Sequence, residues 1–264
     1  MKILYLGDIM GEPGIRAVQK FLPKIEAKHM PDLVFAQAEN VHNGRGITKK
    51  EYKLLQGLGI DVFTGGNWSL HNDDIHLYMN DPTRPITRPA NYPAGTPGKQ
   101  YKIVQIPAGA VLVVSLLGHI VGKDADVPTD NPLHVVDQIL EETKHVAFVA
   151  RIVNFHGDYS SEKRVIGYYL DGRVSAVIGD HWHVPTADAM VLPGGTAHIT
   201  DVGMCGSVHS SLGVRLDSIV TRWKDNKQTR NILETEGPLQ LNAVLIEIKN
   251  NCLASSIQQL QFCE

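Results

Sequence analysis

A chain of 264 residues, 43% hydrophobic and 20% charged, is long enough to bury a sizeable core, and a formal net charge of −3 argues against a non-specific polyanion binder. Cys205, Cys252 and Cys263 are odd in number and lack C-x-x-C spacing, which fits reduced thiols in a cytoplasm better than a disulfide framework. The first residues enter a strand without the basic and apolar regions of an export signal, and the longest apolar stretch, 108–121, is interrupted by Gly118 and His119 and too short to span a bilayer.

Taken in chain order, the first apolar run, residues 3–6, reads as a strand leading into Gly7-Asp8. Ile15, Val18, Phe21, Leu22 and Ile25 recur at helical spacing, and residues 33–38 form a second strand before Glu39-Asn40. A helix over 48–58 starts at Thr48 as N-cap, and residues 62–64 lead into Gly65-Gly66-Asn67, giving the order βαβαβ. The Pro- and Gly-rich part, 81–98, reads as an ordered loop inside one domain spanning residues 1–264. Residues 102–106 and 111–116 resume strand patterns and predict a hairpin over Pro107-Ala108-Gly109-Ala110. Strands over 146–153 and 174–178 lead into Asn154-Phe155-His156 and Gly179-Asp180-His181-Trp182-His183, and 239–248 and 253–261 supply two more. Short, nearly continuous apolar runs are what strands buried on both faces look like, so a two-sheet core with outer helices is expected.

Five of these strands end in residues of metal-ligand type: Asp8, Glu39, Asn67, His156, and the pair His181 and His183. In an α/β sheet the crevice at the carboxyl ends of the strands is where ligands bind, so residues distant in sequence can converge there on a dinuclear metal centre. If the chain is still extended at 181–183, the two imidazoles fall on one face. Oxygen and imidazole donors without thiolate suit iron, manganese or zinc. Singly, Asp8 could cap a helix beside Pro13 and Gly14, and each histidine could be a satisfied core imidazole; Gly194-Gly195-Thr196 reads as a plain turn. Jointly, the metal reading is stronger, because an unpaired buried Glu39 would be costly.

Gly7-Asp8-Ile9-Met10-Gly11, Glu39-Asn40 with Gly44-x-Gly46-Ile47-Thr48, Gly66-Asn67, Arg88-Pro89-Ala90-Asn91-Tyr92-Pro93, His156 with Ser161-Glu162-Lys163, His181-Trp182-His183-Val184-Pro185-Thr186-Ala187-Asp188 and Thr200-Asp201-Val202-Gly203-Met204 together resemble the YmdB-type calcineurin-like metallophosphoesterases, over nearly the whole chain. The resemblance implies a four-layer αββα metallophosphatase sandwich, a homo-oligomer, and hydrolysis of cyclic nucleotides, 2′,3′-cyclic AMP in particular, with two iron or manganese ions. It also implies that Asp8, Asn40 and His183 hold one metal, that Asn67, His156 and His181 hold the other, and that Glu39 bridges them. Partners are then small-molecule phosphodiesters, with neither a nucleic-acid duplex nor a membrane among them.

The chain departs from the family where Gly66-Asn67-Trp68 stands for Gly-Asn-His, whose histidine protonates the leaving alkoxide. Indole does not titrate in the useful range, and a positioned general acid is worth about 10²- to 10⁴-fold in rate. His42, two residues beyond a ligand, and His71, three beyond Trp68, are the imidazoles that could substitute, and Arg45 could bind phosphate bidentately. Asp201 or Asp188 is expected to accept the second N–H of a ligand histidine. Trp68 keeps two alternatives open: a non-catalytic metal- and nucleotide-binding regulatory protein, and a phosphatase for activated esters.

Overall fold

The structure, a computed structural model, describes residues 1–122 and 128–264. The first part of the chain builds β1 (Lys2–Leu6), β2 (Asp8–Ile9), α1 (Gly11–His29), β3 (Leu33–Gln37), α2 (Lys49–Gly57), β4 (Val62–Thr64) and α3 (His76–Asn80). Then follow β5 (Tyr101–Ile106), β6 (Gly109–Leu117), α4 (Pro132–Glu142), β7 (Phe148–His156), α5 (Ser160–Tyr169) and β8 (Ala176–Asp180). The last part holds β9 (Met190–Val191), β10 (Ala197–Ile199), β11 (Met204–Ser207), α6 (Leu216–Asp225), β12 (Leu239–Ile248) and β13 (Ala254–Cys263).

One sheet runs β2-β11-β12-β1-β3-β4 with β13 paired to β12, and the other runs β5-β6-β7-β8-β10-β9. The strands that lead into the site run parallel to one another: β1, β3 and β4 in the first sheet, β6, β7 and β8 in the second. Their side chains alternate between two cores, as the strand period of two requires. Ile3, Tyr5 and Phe35 meet Val113, Ile152 and Ile178 between the sheets. Leu4, Leu6 and Val34 face Val18, Leu22 and Ile25 of α1 on one outer side, whereas Leu112, Val114 and Val153 face Val136 and Ile139 of α4 on the other. The layers are therefore helix, sheet, sheet, helix.

The Thr48 cap is realised in full: Thr48 Oγ1 accepts from the Glu51 backbone N–H, and Glu51 accepts from the Thr48 N–H. Asp8, in contrast, caps nothing; α1 starts after Met10 without a side-chain cap. The hairpin is tighter than its sequence suggested, because Gly109 at φ 137° already belongs to β6, and Ile106 pairs with it across Pro107-Ala108. The loop over residues 81–98 stitches the two sheets together. Ile86 bridges to Phe63, Pro89 bridges to Ser115, and Asn91 exchanges hydrogen bonds with the Leu117 carbonyl and N–H at 2.7 and 2.8 Å. Among the described residues, no helix is long and apolar enough to cross a membrane.

Candidate metal centre

The parallel strands of both sheets end on one side of the sandwich, and the residues after them form two groups of donors. In one, His183 Nε2 lies 3.2 Å from Asn40 Oδ1 and 3.8 Å from Asp8 Oδ1. In the other, His156 Nε2 lies 3.0 Å from Asn67 Oδ1, and the His156 and His181 rings stand 4.4 Å apart. Glu39 Oε1 reaches to 3.1 Å from His156 Nε2, and one donor atom each of Glu39, His156 and His181 lies within 4.8 Å of the others. All seven residues singled out as ligands thus meet in one place.

The donor set fits cations. Asp8 is fully buried, its Oδ2 accepts the His181 N–H at 3.3 Å, and its Oδ1 has no hydrogen-bond partner. Burial first, and Asp180 next, push its carboxyl well above the usual range, a penalty that a cation at Oδ1 offsets. Burial would raise Glu39 too, but His156, His181 and the Trp68 backbone N–H hold it below the ordinary value. His183 is pushed down to about 4, chiefly by burial, so it is a neutral imidazole with a free lone pair. Gly66 is required by close approach: a Cβ there would sit 2.2 Å from Glu39 Oε2 and 2.5 Å from His156 Cδ2.

Residues 181–183 are not extended. His181 and His183 have φ of 105° and 63°, so the turn after β8, and not strand alternation, aims the two rings into the site. Non-glycine residues at positive φ persist only where surroundings over-determine them. Here Asp201 Oδ2 accepts the Trp182 N–H at 2.8 Å, and the buried Lys163 Nζ donates to Asp201 Oδ2 at 2.9 Å and to the Asp180 carbonyl at 2.6 Å. Asp201 therefore holds the turn without touching a ligand imidazole, and Asp188 binds Thr186, Thr200 and Arg164 instead.

The imidazole partners are others. His156 Nδ1 lies 2.7 Å from Asp180 Oδ1, His183 Nδ1 donates to the Leu212 carbonyl at 3.0 Å, and His181 Nε2 lies 3.3 Å from Asp158 Oδ2. Asp180 is itself pinned by Gln37, Asn154 and Tyr5. Its signal was present in the sequence as the acid directly before His181, in the same Gly-Asp pair as Gly7-Asp8.

Trp68 donates its backbone N–H to Glu39 Oε2 at 3.0 Å, while its indole carries the Arg45 guanidinium 4.5 Å from the ring centroid and meets His71 edge-on at 5.6 Å. His71 is exposed. His42 turns its Nδ1 to Glu51 Oε1 at 2.9 Å, on the capping box of α2.

The family model described as YmdB-like protein matches residues 4–260. The chain belongs to this YmdB-like family. It is 37% identical over 249 residues, 94% of its length and 91% of the relative's, to the 2′,3′-cyclic-nucleotide 2′-phosphodiesterase of Bacillus subtilis (strain 168). Two solved structures are similar along the whole chain. A hypothetical protein from Thermus thermophilus superposes with a TM-score of 0.90 at 34% identity, covering 100% of both chains. A phosphatase from Mycoplasma pneumoniae does so with a TM-score of 0.91 at 27% identity, covering 100% of this chain and 93% of that one. The αββα sandwich of this YmdB-like chain is that of the calcineurin-like metallophosphatases.

Proposed function

We propose that this YmdB-like chain is a metal-dependent phosphodiesterase, a single domain that hydrolyses cyclic nucleotides such as 2′,3′-cyclic AMP in the cytoplasm as a homo-oligomer. The observation that carries the reading is the buried donor cluster around Glu39, with the unpartnered Asp8 Oδ1 at its floor. Asp8, Asn40 and His183 would hold one divalent ion and Asn67, His156 and His181 the other, with Glu39 between them; iron or manganese suits these donors, as does zinc. When bound, such ions neutralise the phosphoryl oxygens and lower the pKa of water for in-line attack on phosphorus.

The chain's own residues do the rest. Asp180, the Leu212 carbonyl and Asp158 fix the imidazole orientations, and the Trp68 N–H fixes one Glu39 oxygen while Gly66 leaves room for it. The indole at position 68 supplies no proton, so leaving groups that need one should depart slowly and activated aryl ones should not. The test is elemental analysis of the purified protein together with rates on an aryl phosphodiester and on 2′,3′-cyclic AMP. About two transition-metal ions per chain and faster aryl turnover support the reading, and a reconstituted protein with no iron, manganese or zinc sinks it.

A further inference from the structure

A cleft of about 720 Å³ opens beside the donor cluster, lined among others by Met10, Arg45, Trp68, Arg222, Lys227 and Arg230. It is joined to the cluster at two points. Asn40 Nδ2 donates to the carbonyl of Gly44 on its wall at 2.9 Å, and the Trp68 N–H binds Glu39. The Leu212 carbonyl that orients His183 lies two residues before Val214, another wall residue. The volume is that of a small-molecule site.

Its electrostatics differ from those of the whole chain. The formal net charge is −3, yet four cationic side chains line the cleft and, among the described residues, no Asp or Glu does. Arg222 is used structurally: it donates to the Thr229 carbonyl at 2.8 Å and to Asn231 Oδ1 at 2.7 Å, tying the segment after α6 to the helix. That tie places Lys227 and Arg230 on the wall. Arg45 lies on the Trp68 ring, and Lys227 has only a loose, exposed contact with Asp225 at 3.9 Å. Ions at the cluster would neutralise a single reacting phosphate, and an indole with a guanidinium on it is a surface for a base or sugar. The cations further out then have no work on a mononucleotide that carries one phosphate.

We infer that the cleft is a subsite for a second phosphate, so that the preferred substrate is a cyclic-phosphate nucleotide that also bears a 5′-phosphate, as the cyclic-phosphate end of a short RNA does. The inference rests on the proposed phosphodiesterase reading for the placement of the first phosphate. In chemical sequence, the reaction that supplies such a substrate is RNA scission by attack of a 2′-hydroxyl on the adjacent phosphodiester. That step breaks the P–O5′ bond, passes a proton to the departing 5′-oxygen and leaves the cyclic diester.

Calorimetric titration of the metal-loaded protein with adenosine 3′,5′-bisphosphate and with adenosine 3′-monophosphate tests the subsite without relying on turnover. The bisphosphate should bind about tenfold more tightly, the scale of two partly solvated cation–phosphate contacts, and the advantage should shrink with added salt. In Lys227→Ala/Arg230→Ala the ratio should fall towards one, and in Lys227→Arg/Arg230→Lys it should persist. Equal affinity of the two ligands, binding of neither, or a ratio that survives the alanine substitutions overturns the inference. If the ratio behaves as expected but no cyclic nucleotide is hydrolysed, the subsite stands and the phosphodiesterase reading falls.

Discussion

Around His156 both carboxylates are pinned inside the sandwich: Asp180 by Gln37, Asn154 and Tyr5, and Glu39 by the Trp68 N–H. Directly after Asn67, the Trp68 indole is held by a guanidinium on its face and an exposed histidine at its edge. Buried polar networks are costly to disturb in part, since one lost partner leaves an unpaired group, whereas a rim side chain can change with little effect on stability. The backbone N–H of residue 68 is what the floor requires. The side chain at that position is free of that duty, so the residue type at position 68 can change without dismantling the cluster.

The largest expected effect breaks the floor. Glu39→Ala and His183→Ala should each lower metal occupancy by at least about 10²-fold in affinity and abolish hydrolysis, because outer partners of ligands alone are worth about 10- to 100-fold. His76→Ala and His134→Ala, on α3 and α4 away from the cluster, are the controls and should leave both unchanged. Equal losses in all four variants would mean that the wrong histidines have been mapped.

At the rim, Trp68→His should raise turnover of 2′,3′-cyclic AMP by about 10²-fold, the lower end of what a general acid supplies, with aryl esters gaining little. A parallel rise for both substrates would instead show that the indole obstructs the site.

Asp180→Asn sharpens the contrast from inside. It keeps the shape but removes the carboxylate facing His156 Nδ1, so metal affinity, read by competition with a chelator, should drop by about 10-fold or more. An unchanged affinity would reduce Asp180 to a packing role.

The smallest effect is expected for His42→Ala. His42 faces Glu51 on the surface, and such pairs contribute about 0–1 kcal/mol, so the midpoint of thermal unfolding should move slightly and turnover not at all. Loss of turnover would make His42 the proton donor and close the difference between rim and floor.

How much could be read before folding follows from the same contrast. Strand ends announce themselves, because an apolar run stopping at Gly-Asp, Glu-Asn or Asn-Phe-His leaves few other places for a buried carboxylate or imidazole. Helices α4, α5 and α6 were not among the elements read from the sequence, and α6 has no buried residue at all. Orientation was not legible either: His181 and His183 were expected on one face of an extended chain, yet positive φ at both turns them inward, held by Lys163 and Asp201 from elsewhere in the chain.

Legible from the sequence alone were the two-sheet core with outer helices and six of the seven residues that the structure brings together, Asn40 coming only with the family resemblance, because burial periodicity and side-chain chemistry are local properties. Tertiary structure alone decided that Asp180 and not Asp201 or Asp188 faces His156, that His42 looks away towards α2, and that residues 222–230 bring cations beside Trp68. Those choices depend on which surfaces meet when the two sheets close, and contact between residues far apart in the chain leaves no mark on the spacing within it.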